Sequence, residues 1–241
     1  MRLLLPPSET KADDGDGPPL DLDRLGFPEL THVRQTLLAA LGELAADPER
    51  CRATLGLSVR QDAQILRNAE LLTSPTLPAI TRYTGVLYDA LDASRLSTAA
   101  RRRAATTVVL CSALFGALRP DDLIPAYRLS AGNTLAVLGA PAAVWRPWLV
   151  QTLTQDGPLI DLRSGAYTAL APVPGAIAVR VIGADGRSAS HTNKSVKGQL
   201  VRAFLTAPRQ PRTVRALITA ATAAGLTVRL ADGRTLELVS C

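Results

Sequence analysis

The apolar positions of this chain change their period repeatedly, and each change marks an element. "RLLLP" (2–6) is an unbroken apolar run closed by prolines, which predicts a short buried strand. "PSETK" (7–11) leaves that strand, and the acidic, turn-rich "ADDGDGPPLD" (12–21) predicts a mobile loop. From Pro28 to Ala46, Val33, Leu37, Leu38, Leu41 and Leu44 fall on one helical stripe. Ser58 is placed to cap a helix carrying Ile65, Leu66, Ala69 and Leu72. Residues 84–91 and 97–106 continue the helical period.

The β-branched start of "TTVVLCSALFG" (106–116) then predicts a buried strand, with a turn from Gly116 to Asp122. "AYRLSAG" (126–132) reads as a short strand, and Asn133 to Leu153 as mostly helix, interrupted at Pro141 and Pro147. "PLIDLRSGAYTAL" (158–170) predicts strand, loop and helix. "AIAVRVIGADGRSAS" (176–190) and "LTVRLADGRTLELV" (226–239) predict hairpins with Asp-Gly tips. Helices are expected from Thr192 and over Thr213–Ala224. Strands alternating with helices predict an α/β fold, a single domain over residues 1–241 with a mixed β-sheet surrounded by helices.

Composition narrows the picture. Hydrophobic residues make up 47% of 241 residues, enough for a substantial core and too many for a disordered chain. The formal charge of +6 suits an anionic partner. The three Cys, at 51, 111 and 241, lack metal-type spacing and fit unpaired thiols in a reducing cytoplasm. No apolar window is long enough for a membrane span or signal peptide, so a soluble, cytoplasmic protein is expected; a monomer with no metal or cofactor is expected as well.

Of the 27 basic residues only three are Lys, and two of those stand in "SHTNKSVKG" (190–198). This polar run opens a helix striped by Val196, Leu200, Val201 and Phe204, with Thr192 or Asn193 as its cap. Lys194 and Lys197 share a face of its first turn, where the helix dipole disfavours cations. A bias toward Arg explains the other 24 cations but not these exceptions; Lys brings a compact, titratable amine. Backbone N–H groups and two ammonium groups at one helix start make a phosphate site. The third Lys, Lys11, follows Ser8 and Glu9 at the exit of the first strand, where ligands of α/β sheets gather. "SALFGALRPDDLIPAYRL" (112–129) adds Arg119, Asp121, Asp122, Tyr127 and Arg128, and "DLRSG" puts Asp161, Arg163 and Ser164 at another strand exit. The "RRR" at 101–103 reads as a solvated helix face.

Taken in order and spacing, "LLPPSETK", "YTGVLYDALD", "SALFGALRPDDLIPAYRL", "DLRSGAY" and "SHTNKSVKGQLVRAFL" resemble the YaaA family of peroxide stress resistance proteins over residues 2 to about 206. The resemblance implies a cytoplasmic α/β protein that limits intracellular iron, protects DNA from peroxide and binds DNA through a basic cleft. It carries onto Ser8, Glu9, Lys11, Tyr83, Gly85, Tyr88, Arg119, Asp122, Tyr127, Arg128, Asn193, Lys194, Lys197 and Gly198. Two functions follow as expectations. In the first, Lys11, Arg119, Arg128, Lys194 and Lys197 hold DNA phosphates without sequence preference, and Tyr83, Tyr88 or Tyr127 stacks on a base. In the second, the same cleft belongs to an enzyme acting on a nucleotide or another phosphorylated small molecule. Glu9 or Asp122 is then the acid or base and Asn193 orients the substrate.

Overall fold

The run Arg2–Leu5 forms strand β1 in the middle of a sheet, which explains its composition: Leu3, Leu4 and Leu5 are all fully buried. The computed structural model describes residues 1–136, 138–183 and 192–240. After β1 come α1 (Thr31–Ala45), α2 (Pro48–Leu55), α3 (Ala63–Ala69), β2 (Leu77–Pro78), α4 (Ala79–Arg82), α5 (Val86–Leu91) and α6 (Thr98–Thr107). They are followed by β3 (Val108–Ser112), β4 (Gly116–Leu118), β5 (Leu123–Ile124), α7 (Pro141–Leu153), β6 (Leu159–Asp161) and α8 (Gly165–Leu170). The chain continues with β7 (Ile177–Gly183), α9 (Thr192–Thr206), α10 (Val214–Ala223), β8 (Thr227–Leu230) and β9 (Thr235–Ser240).

The fold is α/β, with a seven-stranded mixed sheet in the order β4-β3-β1-β6-β7-β9-β8. Strands β3, β1, β6, β7 and β9 run parallel, and the edges β4 and β8 run antiparallel. β2 and β5 pair separately. The chain goes from β1 to β3 on one side and later to β6 on the other. A crevice therefore opens where the carboxyl ends of β1 and β6 diverge, a topological switch point. Leu4 pairs with Asp161, and the Leu162 amide donates to the Leu4 carbonyl at 2.9 Å, so both strands end at the same level.

Several expectations change. Gly116–Leu118 is strand rather than turn: Ser112 Oγ accepts from the amides of Leu114 and Phe115 and folds the chain straight back on β3. Residues 126–132 form no strand. Their backbone is clasped instead by Asn68, whose side chain accepts from the Arg128 amide at 2.8 Å and donates to its carbonyl at 2.9 Å. That clasp turns Asn68 inward and shifts the buried face of the preceding segment to Ile65, Asn68 and Leu71, leaving Leu66 and Leu72 exposed. Ser58 caps a 3-10 turn, with α3 beginning only at Ala63. α7 starts at Pro141, not Asn133, because Gly139 takes a positive φ and bridges back to Leu135; it then runs through Pro147. The 226–239 hairpin forms as expected, whereas the Asp-Gly tip at 185–186 lies outside the described residues.

Three fully or nearly fully buried guanidinium groups tie loops to the sheet. Arg34 donates to the carbonyls of Gly26, Phe115 and Ala117. Arg82 reaches Ala12, Asp14, Pro75 and Ile124, so the acidic segment expected to be mobile is strapped at two carbonyls. The third, Arg163, belongs to the switch point. Of the "RRR" run, Arg101 and Arg102 are exposed, but Arg103 caps the end of α9 through the carbonyls of Phe204, Leu205 and Ala207.

Candidate functional site

The switch-point crevice opens into a cavity of about 710 Å³, walled by the exits of β1 and β6 and the first turns of α5, α8 and α9. Pro6 and Pro7 stiffen the β1 exit, and the Pro6 carbonyl accepts from Tyr88 Oη at 2.7 Å. Thr10 Oγ1 donates to the Thr84 carbonyl at 3.2 Å. Gly85 follows with φ 93°, a conformation few other residues adopt, and turns the chain into α5 against this loop. α9 packs on α5 so closely that a β-carbon on Gly198 would stand 2.1 Å from the Leu87 carbonyl oxygen. Gly198 thereby sets the depth at which the first turn of α9 enters the cavity.

Below that turn, Asp161 and Arg163 form a buried two-point ion pair, Nε to Oδ1 at 2.9 Å and Nη2 to Oδ2 at 2.7 Å. The remaining guanidinium protons go to Tyr167 O, Ala171 O and Cys111 Sγ. Arg163 is thus saturated by protein and acts as a rivet, not as a ligand clamp. Lys197 is buried at 8% exposure and donates to the Leu162 carbonyl at 3.0 Å. Desolvation lowers its pKa, opposed by the charge of Asp161. Lys194 is exposed, and neither Lys forms an ion pair with a described carboxylate. Asn193 also lines the cavity, and its Oδ1 is a buried acceptor without a partner among the described residues.

Glu9 also lines the cavity and pairs with Arg128, whose backbone the Asn68 clasp fixes. Lys11 is not among the residues that line the cavity. Its Nζ donates to the Ser8 carbonyl at 3.0 Å and lies 4.2 Å from the centre of the Tyr127 ring. Burial lowers its pKa to about 7, with Arg128, Arg67 and Arg82 pushing the same way and Glu9 opposing. Between about pH 7 and the ordinary amine range, the unfolded chain therefore binds a proton that the folded chain does not. Stability should rise with pH across that window, by up to about 1.4 kcal/mol per unit. Lys11→Met should remove this part of the slope, so its gain over wild type in urea midpoints shrinks from about pH 6 to about pH 10. Parallel pH profiles of the two proteins would contradict this account.

The structure brings Ser8, Glu9, Tyr88, Asn193, Lys194 and Lys197 to one cavity and Arg128 to its edge through Glu9. Tyr83 and Tyr127 are buried, hydrogen-bonded to each other at 2.8 Å and onward to Ser112, and present no face for a base. Asp122 and Arg119 stand elsewhere. Asp122 accepts from the amides of Gly26 and Arg119 and lines a separate cavity of about 280 Å³, and burial raises its pKa. Arg119 is exposed and lies over the Phe27 ring. His191 lies outside the described residues. Sequence reasoning missed Thr84 and Tyr167 as wall residues; the strand exits flagged their neighbours, but nothing local marks either one.

The chain matches the family described as peroxide stress protein YaaA over residues 1–229. It is 44% identical to a UPF0246 protein of Corynebacterium efficiens, covering 99% of this chain and 100% of that one. A UPF0246 protein of Streptomyces coelicolor is 46% identical, over 88% of this chain and 86% of its own. One from Corynebacterium glutamicum strain R is 43% identical, over 95% and 94%.

Proposed function

The chain belongs to the peroxide stress protein YaaA family, and on that premise we propose that it serves the stress response by binding a phosphate-bearing small molecule, of nucleotide size, in the switch-point cavity. The observation that carries this reading is the position of Lys194 and Lys197, on the first two turns of α9, where both line a cavity of about 710 Å³ and neither forms an ion pair with a described carboxylate. The apolar sides of Tyr88 and Tyr167 supply contact area, and Asn193 Oδ1 offers an acceptor for a ligand N–H or O–H. Glu9, held by Arg128, lines the same cavity as a carboxylate for proton transfer, so the cavity has the parts of a reaction site as well as of a binding site.

Direct consumption of peroxide by a described thiol is not part of this reading. Burial lifts Cys111 to about 11 and raises Cys51 as well, and the thiolate is the reactive form.

DNA is the second reading, favoured by the exposure of Lys194 and Arg119. Of the five cations expected to contact phosphates, Lys11 is turned to the backbone, Arg128 holds Glu9 and Lys197 is buried. The two that remain free would together contribute about −2 to the log–log salt slope for duplex DNA. Calorimetric titration with mononucleotides and with duplex DNA separates the readings. Wild type should bind a mononucleotide at one site, and Lys194→Ala should weaken it about tenfold or more, consistent with loss of a charge-assisted contact. Saturable, steeply salt-dependent DNA binding with no small-molecule binding would overturn the cavity reading.

A further inference from the structure

We propose that Lys197 is a covalent site: its ε-amine condenses with the carbonyl group of an anionic aldehyde or ketone held in the switch-point cavity. The inference rests on the cavity reading and names the chemistry of its ligand. The three lysines of the chain have different surroundings. Lys194 is exposed at the rim, where an ammonium is well solvated and serves as an anion contact. Lys11 does not line the cavity, and its Nζ is aimed at the carbonyls of Ser8 and Glu9. Lys197 alone is both buried and cavity-lining.

The surroundings of Lys197 are those of a poorly stabilised charge. Its hydrogen bond goes to the Leu162 carbonyl, and the nearby Asp161 spends both oxygens on Arg163. Removal from water favours the neutral amine, consistent with the downward pKa shift. Arg at this position would bind an anion without offering a lone pair, and in a chain with 24 Arg and three Lys the choice of Lys suits a nucleophile.

The step balances without oxidant or reductant. The amine nitrogen attacks the carbonyl carbon, the C=O π pair moves to oxygen, and a proton from nitrogen completes the carbinolamine hydroxyl. The second amine proton and that hydroxyl leave as water while the C=N bond forms. Lys194, three residues earlier and at the rim, meets the anionic end of the ligand. Asn193 Oδ1, without a partner among the described residues, is the acceptor for the carbinolamine hydroxyl.

Pyridoxal 5′-phosphate, an anionic aldehyde, is the probe. The full chain is incubated with it, reduced with borohydride and mapped by peptide mass spectrometry. We expect one equivalent of adduct on Lys197, suppressed by inorganic phosphate, absent in Lys197→Arg and formed about tenfold more slowly in Lys194→Ala. The wild-type map decides the question even if Lys197→Arg fails to fold. Labelling that falls on Lys11, Lys194 or the N-terminal amine in place of Lys197 overturns the inference. So does the absence of adduct in a protein that still binds mononucleotides, and in that case the binding reading stands. Loss of both labelling and mononucleotide binding overturns the binding reading itself.

Discussion

Alanine at position 198 is expected to destabilise the protein by about 3 kcal/mol or more and to abolish ligand binding with it. Overpacking a core by a methyl group typically costs about 1–3 kcal/mol, because side chains can rotate away. Here the new β-carbon would stand 2.1 Å from the Leu87 carbonyl oxygen and 2.9 Å from the Ala90 side chain. The first of these belongs to the backbone of α5 and has no rotamer to change. Either α9 backs out or α5 shifts, and both helices wall the cavity. Gly42, inside α1 with no atom within 4 Å of its would-be β-carbon, is the control. Gly42→Ala should stabilise by about 0.5–1 kcal/mol through helix propensity. Denaturant melts of the two variants test this, and a Gly198→Ala protein within about 0.5 kcal/mol of wild type would show that the helix contact tolerates what the geometry forbids.

The second large effect is expected at Arg163. Arg163→Met leaves Asp161 buried without the guanidinium that takes both its oxygens, a change that costs about 3–5 kcal/mol. It also strands the carbonyls of Tyr167 and Ala171, which loosens the C-terminal end of α8. Removing the stranded charge as well, in Arg163→Met with Asp161→Leu, should recover more than half of the loss, since a buried pair is often replaceable by apolar residues of similar size. If the double variant is no more stable than the single one, the lost carbonyl contacts and not the ion pair carry the energy.

Where sequence was legible, the deciding physics was local. Apolar periodicity marked β1, α1, α9 and the β8–β9 hairpin because each buries a face that its own residues define. Polar residues after short apolar runs marked the exits of β1 and β6, and with them most of the cavity wall. The buried guanidinium groups of Arg34, Arg82 and Arg163 were not legible: most of their partners are backbone carbonyls, which any residue supplies. The same reason hid the inward turn of Asn68, which displaced the expected stripe on Leu66 and Leu72. "RPDD" reads as a polar cluster of the kind that lines sites, yet Asp122 closes a turn and holds Gly26. Side-chain type signalled buried chemistry there but not its location.

The strand order also bears on how the molecule is made. β1 precedes β3 and β6 in the chain yet sits between them, so it finds its neighbours only after residues 108–112 and 159–161 have been translated. At the other end β9 lies between β7 and β8, so β8 has no strand to join until residues 235–240 emerge. During synthesis the apolar β1 and the edge of β7 both wait unpaired, and non-local parallel pairing closes slowly. The interval between translation of β1 and arrival of β6 is therefore when a nascent chain of this protein most needs a chaperone, and slowing elongation there should lower the soluble yield more than slowing it within α1.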